Sequence, residues 1–128
     1  MSQLFSVKNK VIIISGGTGV LGKAIAKHLA QEGAQMVILV RNEEKVSALV
    51  NEIKDDGGYA YPAIADVTDE KALSQVKEAL EKEFDQIDVL INAAGGNMPG
   101  ATVMPDQMLS DLSSDAVKTI MDLNYMGT

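Results

Sequence analysis

Three glycines with the spacing Gly-x-Gly-x-x-Gly, at positions 17, 19 and 22, stand where an apolar run (residues 11–14) gives way to a segment of helical periodicity. Between a strand and a helix, such glycines make a tight turn, let the backbone approach a pyrophosphate and let the helix pack closely on the sheet. The free N–H groups at the helix start, and the helix dipole, favour bound phosphate. The pattern therefore predicts a dinucleotide phosphate site formed by Gly16, Gly17, Thr18, Gly19, Val20, Leu21 and Gly22.

The end of the second predicted strand is the next candidate contact, about 20 residues after Gly22. An acidic side chain there would bond the ribose 2′-hydroxyl of NAD, but the sequence has Val40, Arg41 and Asn42, with no acid before Glu43. A guanidinium suits a 2′-phosphate because it is planar, charged and rich in donors. Arg41, with Asn42 beside it, predicts NADP rather than NAD; the alternative is that Arg41 is a solvated loop residue.

Two later strands also end in candidate binding residues. Asp66 follows the third predicted strand, where open α/β sheets gather their ligands. It is either a contact for the adenine amino group or a turn residue before a helix, and its spacing leaves both open. The fourth strand ends in Asn92, Ala93, Ala94 and Gly95. Small residues there would let a ribose and nicotinamide lie against the backbone; the alternative is a plain glycine-rich turn.

Several other reactive side chains are predicted to be structural. His28 is expected on the surface of the first helix, out of reach of a reacting proton. A metal site is not expected, because the chain has no cysteine and one histidine. The methionines indicate adaptable packing (Met98, Met104, Met108, Met121 and Met126). The acidic stretch indicates a solvated helix face (Glu78, Glu81, Glu83 and Asp85).

Composition narrows the class of protein. The 128 residues predict a single small domain spanning residues 1–128. A net charge of −7 argues against nucleic-acid and anionic-membrane partners, which require clustered Lys and Arg. The absence of cysteine excludes a disulfide framework. The first residues lack the apolar stretch of a signal peptide, so we expect a cytoplasmic protein.

Apolar runs alternate with helix-period segments along the chain. Strands are predicted at residues 11–15, 35–40, 59–65 and 87–92, with Pro62 making the third an edge strand or an irregular one. This alternation predicts a Rossmann-type, doubly wound parallel α/β sheet with strand order 3-2-1-4. Residues 93–111 have no clear period and are predicted to be a loop.

The helices between these strands have predicted caps and inner faces. The first spans about residues 20–32 and ends at Gly33, the second is capped by Asn42, and the third runs from its cap Thr68 to Phe84. The last is capped by Ser113 or Ser114. The first helix is expected to face the core with Leu21, Ala24, Ile25 and Leu29, the second with Val46, Leu49, Val50 and Ile53, and the last with Val117, Ile120, Met121 and Met126.

These motifs, in this order, resemble those of the short-chain dehydrogenase/reductase family over essentially the whole chain. Residues 15–22 resemble its Thr-Gly-x-x-x-Gly-x-Gly fingerprint, except that Val20 stands where the middle glycine is usual and glycine stands at 19. Asp66 and Val67 resemble its adenine contact, and residues 92–95 its Asn-Ala-Gly motif. Residues 17–22 and 94–99 are more narrowly similar to the mannonate/fructuronate oxidoreductase subgroup.

The resemblance implies hydride transfer between a nicotinamide cofactor and a small hydroxyl/carbonyl substrate. It makes Asn124 a relay residue, but no Tyr-x-x-x-Lys proton donor occurs in the chain. We therefore expect the N-terminal cofactor portion of a larger NADP-dependent enzyme, inactive by itself. The alternatives are a non-catalytic nucleotide-binding protein and an inactive truncated product. An uncovered fourth strand and last helix would favour self-association.

Overall fold

Four parallel strands form one sheet in the order β3-β2-β1-β4, which confirms the predicted topology. The strands are β1 (Val11–Ser15), β2 (Gln35–Val40), β3 (Tyr59–Ile64) and β4 (Val89–Asn92), and the helices are α1 (Val20–Gln31), α2 (Glu43–Asp55), α3 (Glu70–Glu83) and α4 (Ser114–Met121). This computed structural model describes residues 3–96 and 98–128. The chain divides into two units, the first ending at Ala93 and the second covering Ala94–Thr128.

The core of the first unit lies on both faces of the sheet. One apolar cluster contains β-strand residues together with residues of α1 and α2, and the other contains residues of β1, β2, β3 and α3. Strand β2 contributes to both clusters, and Met36, Val37 and Ile38 on it are fully buried. This burial explains why β2 is a continuous apolar run in the sequence. Strand β3, which carries Pro62, is an edge strand as predicted.

Helix α1 packs on the sheet through small residues, which corrects the predicted inner face. Gly22, Ala26 and Ala30 are buried, whereas Leu21 and Ala24 are exposed. Residues spaced by four lie on one face of a helix, and small side chains there allow a close approach to the sheet. Ile25 and Leu29 are partly buried at the margin of the cluster. The buried face of α1 is therefore centred on its small residues, and only the predictions for Leu21 and Ala24 were wrong.

The other two helices of the first unit begin at side-chain caps. Asn42 caps α2 as predicted, its Oδ1 accepting from the Lys45 N–H at 3.0 Å. The cap of α3 is Asp69, whose Oδ1 accepts from the Ala72 N–H at 3.0 Å, so the prediction of Thr68 was wrong. The Thr68 hydroxyl instead donates to Asp66. The predicted inner face of α2 is buried in full (Val46, Leu49, Val50 and Ile53).

The second unit has little buried surface. Residues 99–101 and 109–111 form 3-10 turns within the segment predicted to be a loop, and a π-helical turn, Asp122–Met126, follows α4. Ser113 caps α4 as predicted. Among residues 94–96 and 98–128, Ala116 alone is buried. Three of the residues predicted to face inward are exposed, which corrects the predicted face of this helix (Val117, Met121 and Met126).

Candidate cofactor site

The carboxyl ends of the four strands bring the predicted binding segments of the first unit to one edge of the sheet. Ser15 at the end of β1 pairs with Leu39 of β2 on one side and with Asn92 of β4 on the other. Hydrogen bonds continue past the strands: the Gly16 N–H donates to the Leu39 carbonyl at 3.0 Å, and the Ala93 N–H to the Ser15 carbonyl at 3.1 Å. The loop after β1 therefore lies between the ends of β2 and β4, the place where such sheets bind ligands.

Glycines shape the turn from β1 into α1. Gly16 has φ +70°, in the left-handed region that favours glycine. A Cβ atom on Gly17 would lie 2.9 Å from Cγ2 of Ile38, and one on Gly22 would strike the Gly16 carbonyl oxygen and lie 3.0 Å from the Gly17 Cα. The first turn of α1 therefore sits directly on the loop. The spacing predicts close packing of this helix on the sheet; at Gly22 the close contact is with the loop that leaves β1.

The N-terminus of α1 is open at Gly19. As the N-cap residue, Gly19 has no side chain to accept from the first-turn N–H groups, and that turn contains no acidic residue. The first N–H groups of a helix have no intrahelical acceptor, and together with the dipole they attract an anion. Thr18 is half-buried, whereas Val20 and Leu21 are exposed. The arrangement can hold a phosphate group on backbone donors.

Arg41 and Asp66 follow adjacent strands. The Ala65 N–H donates to the Val40 carbonyl at 3.0 Å, which aligns the chain just before Asp66 with the chain just before Arg41. The Thr68 hydroxyl, donating to Asp66 Oδ1 at 2.7 Å, holds the pKa of Asp66 below its ordinary value, as do the Thr68 N–H and the charge of Arg41. Asp66 is thus an acceptor whose ionised form is favoured by the two Thr68 donors and, to a smaller extent, by the charge of Arg41 after the adjacent strand.

The two open interpretations of Asp66 are now partly resolved. Its Oδ1 shapes the turn by accepting from both donor groups of Thr68. A carboxylate has lone pairs on two oxygens, so this turn role is compatible with a further donor such as an adenine amino group. The neighbouring Val67 is half-buried against the cluster that includes α3. Asn42 uses its Oδ1 to cap α2, which leaves its amide N–H groups for a ligand.

Within the second unit, Asn124 holds the glycine turn that follows Ala94. Its Oδ1 accepts from the Gly96 N–H at 3.0 Å, and its Nδ2 donates to the carbonyls of Gly96 and Ile120, each at 2.9 Å. A Cβ on Gly95 would lie 2.6 Å from that Oδ1. The amide of Asn124 therefore fixes the backbone at residues 95–96 and needs a glycine there. Both hydrogens of its Nδ2 are used, so a relay through that group would require breaking one of these bonds.

His28 is exposed on α1, as the sequence predicts. Across residues 3–96 and 98–128, no group of three or more His, Cys, Asp or Glu side chains could hold a metal ion. Over the same residues, no helix has both the length and the apolar character needed to cross a bilayer.

Two residues with a positioning role were not identified from the sequence. Thr68 orients the Asp66 carboxylate, and the signal that could have identified it is the Asp-x-Thr spacing, typical of a side chain bonding its own turn. Ser15, at 3% exposure, is the buried polar residue at the end of β1, with its hydroxyl 3.5 Å from the Ile91 carbonyl of β4. A serine at the end of an apolar run is the corresponding signal.

The family comparison agrees with this geometry. The family model for short chain dehydrogenases matches residues 10–128. The chain belongs to the short-chain dehydrogenase family. The recognised resemblance and the Rossmann-type fold are both confirmed, and the family is one of oxidoreductases that bind NAD or NADP.

Individual family members are similar over nearly the whole chain. An uncharacterized oxidoreductase of Bacillus subtilis, UxuB, is 36% identical over 95% of this chain and 47% of its own length. A Haemophilus influenzae protein provisionally described as a D-mannonate oxidoreductase, crystallised with bound NAD, is 33% identical with a TM-score of 0.88, over 95% of this chain and 47% of that one. A hydroxysteroid dehydrogenase of Escherichia coli is 29% identical with a TM-score of 0.76, over 94% of this chain and 48% of its own. The chain spans about half the length of the curated relatives it matches.

Proposed function

We propose that this chain is the cofactor-binding portion of an NADP-dependent oxidoreductase. The observation that carries the proposal is the glycine turn at the start of α1, in a member of the short-chain dehydrogenase family. The turn has the form that a pyrophosphate requires, because the helix start is uncapped and its backbone N–H groups can act as donors. The space beside Gly19 is open: a Cβ atom built there would lie 3.6 Å from the Gly16 carbonyl oxygen, which is an ordinary contact. The residues present therefore fit a dinucleotide.

In this proposal each binding segment has one task. The loop after β1 binds the pyrophosphate (Gly16, Gly17, Thr18, Gly19, Val20, Leu21 and Gly22). The residues after β2 bind the adenosine ribose (Arg41 and Asn42), and those after β3 bind adenine (Asp66 and Val67). The last residue of β4 and the three that follow bind the nicotinamide ribose (Asn92, Ala93, Ala94 and Gly95). A bound nicotinamide would supply the hydride acceptor or donor. Asn124 positions the glycine turn through the bonds described above.

The preference for NADP rests on the end of β2. Val40, at 6% exposure, is buried at the place where an acid would receive a ribose 2′-hydroxyl, and the exposed Arg41 follows it. NAD is the alternative, because acidic side chains disfavour the added negative charge of the NADP 2′-phosphate. These side chains are Asp66, whose charge interacts with that of Arg41, and Glu43 and Glu44 in the first turn of α2. The NAD bound to the Haemophilus relative is a further reason to test both nucleotides.

The substrate in this proposal is a small hydroxy acid of the sugar-acid type. The proposal is supported by the D-mannonate description of the Haemophilus relative. Since no Tyr-x-x-x-Lys occurs in the 128 residues, the chain alone is proposed to bind cofactor without turnover. The proposal also includes a cytoplasmic location and self-association, the latter supported by the exposure of Val89 and Leu90 on the edge strand β4.

Titration with NADPH and NADH, followed by nucleotide fluorescence, tests the proposal. We expect NADPH to bind more tightly than NADH, and Arg41→Gln to weaken NADPH by roughly tenfold or more while leaving NADH nearly unchanged, because a charge-assisted pair to the 2′-phosphate is lost. Lys54→Gln is the matched control, since it removes the same charge at the opposite end of α2.

Three results would contradict parts of the proposal. Equal weakening by Arg41→Gln and Lys54→Gln would show a general charge effect and not a 2′-phosphate contact. Tighter binding of NADH than NADPH would favour the NAD alternative. Binding of neither nucleotide by the wild-type chain would overturn the cofactor-binding role itself.

A further inference from the structure

The structure assigns a peroxide-reactive surface to the second unit, formed by methionines whose side chains lie in solvent. Five of the seven methionines of the chain fall between residues 98 and 126 (Met98, Met104, Met108, Met121 and Met126). Hydrogen peroxide oxidises an accessible thioether to a sulfoxide. The inference goes beyond the proposed function and needs no bound nucleotide.

The composition of the chain directs peroxide to methionine sulfur. Cysteine is the side chain that would compete for this oxidant, and the 128 residues contain none. In the reaction the sulfur lone pair attacks one peroxide oxygen and the O–O bond breaks. The proton of the transferred oxygen passes to the departing hydroxide, which leaves a sulfoxide and water. The sulfur is oxidised and the peroxide is reduced, without a further reactant.

Exposure separates the methionines of the second unit from one in the core. Met108 is 71% exposed and Met126 69%. The sequence predicts adaptable packing for all five, but the other three are exposed as well (Met98, Met104 and Met121). Met36 on β2 is fully buried. Because oxidation requires contact between peroxide and sulfur, Met108 and Met126 are the first sites and Met36 is protected.

The second unit can accept a polar sulfoxide without losing a packed core. In its described part, residues 94–96 and 98–128, a single residue is buried. Main-chain bonds fix the turns that carry two of the methionines. The Met104 N–H donates to Gln107 Oε1 at 3.0 Å. The Met108 N–H donates to Asp111 Oδ2 at 2.7 Å. An oxygen added at the sulfur leaves both bonds in place.

The same oxidation at Met36 would have the opposite effect. Its side chain lies in the apolar cluster that joins the sheet to α1 and α2. A sulfoxide there would be a polar group in an apolar interior, which is costly unless it is hydrogen-bonded. The two units are therefore unequal toward peroxide: the second reacts and keeps its fold, and the core of the first is shielded.

Treatment of the folded chain with hydrogen peroxide, followed by proteolysis and mass spectrometry, tests the assignment. We expect the peptides of Met108 and Met126 to gain one oxygen atom at least about tenfold faster than that of Met36, because a buried sulfur reacts only when the structure opens. In denaturant all three should react at similar rates, since they have the same intrinsic chemistry. The melting temperature should not change after the exposed methionines are oxidised.

Two matched variants complete the experiment. Met108→Leu should remove one fast site and leave the rate at Met126 and the melting temperature unchanged, because the position is exposed. Met36→Leu should leave the fast oxygen uptake of the folded chain unchanged. If Met36 reacts as fast as Met108 in the folded chain, or if Met108 reacts only in denaturant, the assignment is overturned. Unfolding of the chain by oxidation at Met108 and Met126 alone would also overturn it. Each of these results leaves the proposed function untouched, since nucleotide titration tests that separately.

Discussion

Residues 3–93 bury their large apolar side chains in two clusters around the sheet, whereas residues 94–128 leave most of theirs in solvent. In the first unit Ile14, Met36 and Ile38 have no exposed surface. In the second, Met108 is 71% exposed and Leu109 76%. The second unit holds its shape largely through caps, short helical turns and the Asn124 amide.

This contrast shows how the proposed binding elements of the first unit are supported. The glycine turn is built on Ile14 and Ile38, so the packed core fixes the positions of the backbone donors. Preorganised donors bind an anion more strongly than mobile ones, because less ordering is needed on binding. The glycine turn of the second unit depends instead on a single side chain, and three experiments test the difference.

The largest effect is expected for a core substitution in the first unit. Ile38→Ala should lower the free energy of unfolding by about 2–5 kcal/mol, because it removes buried methyl groups and leaves a cavity beneath Gly17. Met108→Ala, at an exposed position of the second unit, should stay within about 0.5 kcal/mol of the wild type. Denaturant unfolding measures the free energy of unfolding of both variants. Similar decreases for the two would contradict the proposed difference in packing between the units.

An intermediate and local effect is expected for Asn124→Ala. The substitution removes an acceptor from the Gly96 N–H and two donated bonds, each worth about 0.5–1.5 kcal/mol when made. Amide hydrogen exchange at Gly96 should therefore become faster, with little change at Ile38. Asn124→Asp keeps the acceptor and should preserve part of the Gly96 protection. Thr119→Ala, which removes a hydrogen bond within α4, is the control; equally fast exchange at Gly96 in this variant would exclude a specific role for Asn124.

The smallest effect is expected for Glu52→Gln on the surface of the first unit. The Lys23 ammonium, and then that of Lys27, hydrogen-bond the Glu52 carboxylate at 3.0 and 3.1 Å and hold its pKa below the ordinary value. Because the folded-state pKa is lowered, the stabilisation is present above the unfolded-state pKa and is lost as pH falls through the folded-state pKa. The variant should be slightly less stable near neutral pH and indistinguishable from the wild type at acidic pH.

Unfolding curves across this pH range, at low and high salt, measure that small difference. Glu81→Gln is the matched control, since it removes one ion pair of 3.7 Å within a single helix. High salt should reduce the effect of Glu52→Gln, because both partners are partly exposed. A difference that persists at acidic pH would point to packing and not to charge.

Much of the first unit could be predicted from the sequence. The four apolar runs gave the strands, and the alternation with helical periods gave the sheet order. Local chemistry also predicted the Asn42 and Ser113 caps, since a cap bonds a residue three positions away. The predicted face of α1 was right for Ile25 and Leu29 only, and that of α4 was wrong at three of its four residues. Hydrophobicity favours Leu21 and Met121 as inward residues, but both are exposed. Helix α1 packs on the sheet through small residues, and the second unit buries too little surface to cover Met121.

The sequence by itself determined the order of the elements, the position of the glycine turn and the membership of the family, because these depend on residue type and spacing along the chain. Only the tertiary structure decided which glycine has space beside it and that the charge of Arg41 acts on Asp66. Those features depend on distances between segments far apart in sequence. Neither spacing nor periodicity encodes such distances, because they arise when the strands align and the helices settle against the sheet.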